Sequence, residues 1–185
     1  MTQPFRYGLF FLIPVIVILD QWSKWLILNE PTFNAIGCLD QTQRCGRVDV
    51  LPFFDLNMVW NRGISFGIGQ SEGIMRWLLV ILTTVIAIGF TVWLVRAARR
   101  FTSIALALVI GGAFGNVIDR VRFGAVVDFL DFSGILRPYF FNYVFNVADA
   151  AISVGAVLLF ADQFLMSRQE KAAGAVTEDE ARTPE

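Results

Sequence analysis

Apolar residues run along this chain in four long blocks, near residues 7–28, 74–95, 101–118 and 144–166, with polar residues gathered between them. Each block approaches the roughly 20 residues that carry a helix across a bilayer, whereas a stretch of about 10–14 would suit a buried core helix. The pattern predicts an all-α membrane protein with four transmembrane helices. Asp20 and Lys24 stand in the first block where a cleavable leader would need small residues, so this block is expected to persist as a helix. With four spans, Arg6, the short link bearing Arg96, Arg99 and Arg100, and Arg168 with Lys171 share one side. The opposite loops also hold arginines (Arg44, Arg47, Arg62, Arg122, Arg137), but spread out and mixed with acids. The asymmetry predicts both termini in the cytoplasm.

The two outer segments are then about 29–72 and 119–143. The first is too long for a plain connector. Its β-prone residues Val48, Val50, Phe53, Phe54, Leu56, Met58, Val59 and Trp60, broken by Pro52, predict a small β-containing outer platform on the membrane, with Trp60 in the interfacial belt. The second is rich in Phe and is expected to form an outer amphipathic loop or helix. Residues 1–167 would be one integral membrane domain, and 168–185 a polar, disordered tail on the cytoplasmic side.

Composition sharpens this picture. The chain is 56% hydrophobic and 17% charged, against about a quarter charged in soluble domains, as lipid-facing surface requires. A net charge of −1 and the lack of a basic tract give nucleic acid nothing to bind. There is no histidine, which removes Ser-His-Asp and Cys-His nucleophiles, histidine-ligated zinc and the commonest general base. No metal or cofactor is expected. Cys38 and Cys45, the two cysteines, fall in the first outer segment and read either as a disulfide or as two free thiols.

Chemistry must therefore come from ionisable residues in places a bilayer disfavours, where each costs about 2.5–3.5 kcal/mol at mid-span. Asp20 and Lys24 are one helical turn apart and can pair. That reads as a buried ion pair, or, with Ser23 or Ser65, as part of a Ser-Lys dyad. Asn61 and Gly63 read as a turn or as a contact to a substrate carbonyl. Gly111, Gly112 and Gly115 at helical spacing indicate close helix packing. Asp119 with Arg120 fits a plain interfacial pair. Asp128 and Asp149, each set among apolar residues, are carboxylates that two antiparallel helices would bring to one depth; the alternative is that each bonds a helix end, with Asp131 an equally good surface acid.

Five blocks taken in order, DQWSK at 20–24, NRGISFG at 61–67, GGAFGNVIDR at 111–120, GAVVDF at 124–129 and FNVAD at 145–149, resemble lipoprotein signal peptidase (signal peptidase II), the bacterial inner-membrane aspartic peptidase family. The resemblance spans roughly residues 15–165. It implies Asp128 and Asp149 as the catalytic pair and Asp20, Lys24, Asn61, Gly63, Asn116, Arg120 and Asn146 as supporting residues. Ser65 stands where the family commonly has alanine, and the segment with Cys38 and Cys45 lies outside the motifs. The resemblance further implies a diacylglyceryl prolipoprotein substrate cut just before its lipidated cysteine, contact with membrane lipid, inhibition by globomycin-type cyclic peptides, and a site near the outer face of the membrane. Two other classes compete. A proton-coupled transporter would place acids at mid-membrane in repeated halves, and a scaffold protein would tolerate loss of both aspartates.

Overall fold

The computed structural model describes residues 10–35, 41, 44–63, 73–132 and 143–180. In chain order they form α1 (Leu12–Leu28), α2 (Pro31–Ala35), β1 (Arg44–Leu51), β2 (Phe54–Asn61), α3 (Ile74–Arg96), α4 (Arg100–Phe123), β3 (Val126–Asp131), β4 (Val144–Phe145) and α5 (Val147–Glu180). Helix α4 is the centre of the bundle, packing against α1, α3 and α5. Among the described residues, three stretches are long and apolar enough to cross a membrane: Arg76–Arg96, Arg100–Phe123 and Val147–Arg168. Helix α1 is shorter at 17 residues, about 26 Å at 1.5 Å per residue.

Glycine sets how near the helices come. A Cβ on Gly111 would lie 2.8 Å from Ile16 Cβ of α1, one on Gly112 would collide with the Ala148 carbonyl of α5, and one on Gly155 would lie 2.7 Å from the Ala105 carbonyl of α4. Bare backbone at these crossings lets dispersion contacts replace the missing hydrophobic drive between helices in lipid. Apolar residues elsewhere turn outward: Ile81, Leu82 and Val85 of α3 and Val157 and Phe160 of α5 are exposed, as lipid-facing surface would be.

A four-stranded antiparallel sheet, order β1-β2-β3-β4, closes one end of the bundle. The expected β-prone stretch is the β1–β2 hairpin, turning at Pro52 and Phe53, where a missing N–H costs no ladder bond. Alternation along the strands gives the sheet two distinct faces. Met58 and Trp60 of β2 and Val127 and Phe129 of β3 join Ile27, Phe33 and Ala125 in one core.

Three sequence expectations change. Trp60 is only 3% exposed and meets Phe123 edge-on at 5.7 Å, so it fills the core under the sheet instead of an interfacial belt. Within 119–143, helix α4 continues to Phe123 and residues 126–131 are a strand, not an amphipathic helix; Gly124 at φ +80° ends the helix. Strand β3 forms there because Val126 to Phe129 are buried and β2 supplies ladder partners for Val126, Val127 and Asp128. Residues 133–142 lie outside the described residues. The tail expected to be disordered continues α5 as helix to Glu180, since Gln169, Glu170, Lys171, Ala172 and Ala173 are good helix formers; residues 181–185 lie outside the described residues.

The glycine contacts predict a contrast. Gly155→Ala should cost about 1–3 kcal/mol by overpacking the α4–α5 seam, seen as a lower thermal midpoint in detergent. Gly89→Ala, whose added Cβ meets nothing within 4 Å, should leave that midpoint unchanged or raised.

Candidate active site

Asp128 sits on β3 at the junction between sheet and bundle, 2% exposed. Val59 faces it across β2, and Asn61 faces Val126, so Asn61 is its diagonal neighbour on the same face. The Asn61 side chain donates to Asp128 Oδ2 at 3.0 Å, while its own oxygen accepts the Gly63 N–H at 3.1 Å. The turn chemistry and the contact to the site are thus one feature: the Gly63 amide fixes which way the Asn61 amide points.

Asp149 lies in the first turn of α5, half-buried. Asn146 immediately precedes that helix and accepts the Asp149 N–H on its side-chain oxygen at 2.9 Å, the bond of an N-cap. The Asn146 side-chain nitrogen donates to Asp128 Oδ1 at 2.6 Å and to Asn116 Oδ1 at 3.2 Å. Asn116, on α4, donates in turn to Asp149 Oδ1 at 2.8 Å. A two-asparagine bridge therefore joins the carboxylates of Asp128 and Asp149, although the residues lie on a strand and a helix instead of two helices.

Behind the bridge is a buried charge cluster. Lys24 Nζ is 2.8 Å from Asp20 Oδ2 and 2.8 Å from Asp119 Oδ2, with Lys24 2% exposed and both carboxylates fully enclosed. Lys24 also donates to Asn116 Oδ1 at 3.4 Å. Two carboxylates around one ammonium leave an excess negative charge, and neutral donors offset it. Ala148 N–H donates to Asp20 Oδ1 at 2.9 Å, Val127 N–H to Asp119 Oδ2 at 3.1 Å, and Gln21 Nε2 to Asp119 Oδ1 at 2.8 Å. Asp119 is therefore not the interfacial partner of Arg120 that its position suggested. Helix periodicity turns it toward α1, where Lys24 lies.

Burial, foremost, and the negative charge of Asp149 push the Asp128 carboxyl up to about 7, against the pull of the Asn61 and Asn146 donors and of Lys24. Arg120 stands on α4 one turn beyond Asn116, at the same junction. Its Nη1 donates to the Asn116 carbonyl at 3.5 Å, and its Nε is buried without a partner among the described residues.

The structure gathers Asp20, Lys24, Asn61, Gly63, Asn116, Arg120, Asp128, Asn146 and Asp149 at this junction. It keeps Asp131 apart. Three residues beyond Asp128 on β3, Asp131 points to the opposite face, directly across from Asp55, and accepts from Asn57 at 3.2 Å. Ser23 spends its hydroxyl on the Asp20 carbonyl, to which it donates at 2.7 Å. Ser65, Gly67 and Cys38 lie outside the described residues, as does the side chain of Cys45. Among the described residues no three acids, cysteines or histidines group as metal ligands. Sequence reading passed over Gln21 altogether, and its placement between Asp20 and Lys24 in DQWSK was the only signal.

Helices closed at one end by a small sheet, with buried acids at the junction, define a class. Two solved structures described as bacterial membrane enzymes, determined by the in meso method, share the fold. One has a TM-score of 0.70 at 25% identity over 86% of this chain and 89% of the other. The second has a TM-score of 0.68 at 26% identity over 84% and 92%. The chain belongs to the signal peptidase (SPase) II family, whose profile matches residues 12–165. It is 45% identical to the lipoprotein signal peptidase of Methylobacterium radiotolerans over 86% of each chain, and 44% identical to that of Methylorubrum extorquens over 85% of each. A lipoprotein signal peptidase of Caulobacter vibrioides is 41% identical over 82% of this chain and 83% of its own.

Removing the one cation of the charge cluster should be costly. Lys24→Met leaves Asp20 and Asp119 buried and uncompensated, a loss of about 3–5 kcal/mol. Thermal denaturation of the purified variant, or its failure to accumulate in membranes, measures the effect.

Proposed function

We propose that this chain is an aspartic endopeptidase that removes the signal peptide from diacylglyceryl-modified prolipoproteins, cutting just before the lipidated cysteine, with Asp128 and Asp149 as the catalytic pair. The observation that carries the reading is the Asn116–Asn146 bridge, which makes the two carboxylates one hydrogen-bonded unit at the end of a membrane bundle. Family membership and the relatives' activity on lipoproteins support the substrate class.

The chemistry follows from a shared proton. Two neighbouring carboxylates in a desolvated site cannot both ionise cheaply, so near neutral pH the pair holds one proton and titrates as a unit. The ionised member takes a proton from water as the water oxygen attacks the scissile carbonyl carbon. The protonated member gives its proton to the carbonyl oxygen. Collapse of the tetrahedral intermediate breaks the C–N bond, and the departing amine nitrogen takes a proton back from the pair. Asn61, Asn116 and Asn146 hold the carboxylates in place, and Arg120 with the Gly63 backbone steers the peptide and the developing charge.

In this reading α1 is a fourth span, both termini are cytoplasmic, and residues 1–167 form one membrane domain. The arginines at the bundle end opposite the sheet, Arg96, Arg99, Arg100 and Arg168, support that orientation, which puts the site at the outer face of the bacterial inner membrane. Membrane lipid and the substrate's acyl chains would meet the exposed apolar helix faces, and globomycin-type cyclic peptides would compete for the site.

Asp128→Asn and Asp149→Asn should each lower processing of a lipidated precursor at least a hundredfold, read by gel mobility. Complete processing by either variant sinks the dyad. Cleavage should also fall as pH rises past the value of about 7 to which Asp128 is pushed, because the pair then loses its shared proton. Stability carries the same sign. A carboxyl raised from 3.8 holds a proton in the folded state that the unfolded chain has released, so its contribution declines between those two values as pH rises. Relative to the parent, Asp128→Asn should therefore gain thermal stability above neutral pH.

A further inference from the structure

We infer that Gln21 is a positioning residue for the reaction: its carboxamide holds the Asp119 carboxylate against the Val127 N–H and so fixes the strand that carries Asp128. The inference rests on Asp128 being catalytic, as proposed above. Strand β3 has β2 along one edge, but β4 covers its other edge only at Leu130 and Asp131. Nearer the site no strand among the described residues pairs with that edge, and a side chain takes over: Asp119 Oδ2 accepts the buried Val127 N–H at 3.1 Å. Val127 is the residue next to Asp128, so the direction of this one bond sets the strand's position at the carboxylate.

Asp119 could not keep that place alone. Its Oδ2 is shared between Val127 and Lys24, which is itself drawn equally to Asp20 at 2.8 Å. Gln21 fixes the other oxygen, donating to Asp119 Oδ1 at 2.8 Å, and it also reaches Asp20 Oδ2 at 3.2 Å and the Gly115 carbonyl at 3.3 Å. It is the one neutral side chain among these bonds that touches both carboxylates, and so it divides Lys24 between them. Its own oxygen accepts from Arg122 Nη1 at 3.4 Å, and the Arg122 guanidinium lies 4.8 Å over the Phe123 ring. The carboxamide is thereby oriented with its nitrogen toward the acids, and an exposed residue at the rim of α4 is linked to the strand of the active site.

The test uses the full chain in detergent and a diacylglyceryl-modified precursor. Gln21→Met keeps the length and removes the donor. It should lower kcat about tenfold while KM stays within about twofold, and amide exchange at Val127 should accelerate by about tenfold. Arg122→Ala, at the exposed rim where folding is not at stake, should move kcat and Val127 exchange in the same direction by about twofold to threefold. A wild-type kcat in Gln21→Met, or a fall in kcat with Val127 exchange unchanged, overturns the inference. If Gln21→Met does not fold, wild-type kcat and exchange in Arg122→Ala overturn it instead. Because exchange at Val127 is read without substrate, failure here is distinguishable from failure of the dyad, which Asp128→Asn tests by itself.

Discussion

One ammonium held between two buried carboxylates organises the end of the bundle that the sheet closes. Lys24 lies 2.8 Å from both Asp20 and Asp119. An unbalanced cluster of this kind is tolerable away from water only if every remaining lone pair finds a donor. The donors come from three different elements. Ala148 is at the start of α5, Val127 is on β3 and Gln21 is on α1. Satisfying the charge therefore fixes where α5 begins and where β3 runs, and those are the elements that carry Asp149 and Asp128. Electrostatic necessity at the back of the site becomes geometric precision at the front.

The glycines of α4 make this arrangement sterically possible. A Cβ on Gly115 would lie 2.5 Å from Asp20 Oδ2, and one on Gly112 would press into the Ala148 carbonyl. Both positions lie where α1 or α5 must approach for Asp20 to reach the Ala148 amide. Close packing and charge satisfaction are therefore the same requirement seen from two sides. Apolar packing beneath the sheet, with Met58, Trp60, Val127 and Phe129 enclosed against Ile27 and Phe33, keeps water from the rear of Asp128 and holds its proton affinity high.

A second polar cluster lies at the opposite end of the bundle. Asp162 of α5 accepts from Thr102 at 2.5 Å and pairs with Arg99 at 3.0 Å. It joins the start of α4 to α5 far along the helix from Asp149. The α4–α5 seam is thus tied by polar contacts at both ends and by the Gly155 approach to Ala105 between them. Rigid helices of this kind suit a site whose carboxylates must keep one separation.

Much of the molecule was legible in the chain itself. Long apolar blocks dictate membrane helices because bilayer thickness sets a length that few other structures share. A run of β-prone residues broken by Pro52 marked the small strand platform, and the absence of histidine narrowed acid–base chemistry to the remaining ionisable side chains. The spacing of Asp20 and Lys24 sufficed for their pairing, since i and i+4 share a helical face. What the sequence could not decide were contacts between residues far apart along it. Asp119 seemed paired with its neighbour Arg120, yet it bonds Lys24, 95 positions earlier by numbering, and the amide of Val127. Trp60 suited a membrane interface by type and is core by strand parity. Asp128 and Asp131 look alike in VVDFLD; once β3 is a strand they fall on opposite faces, and its pairing with β2 sets Asp131 across from Asp55 and Asp128 beside Asn61. Local pattern determines elements because helix and strand periodicities are properties of the backbone. Which polar groups meet is decided by the crossings of those elements, and these exist only in the folded chain.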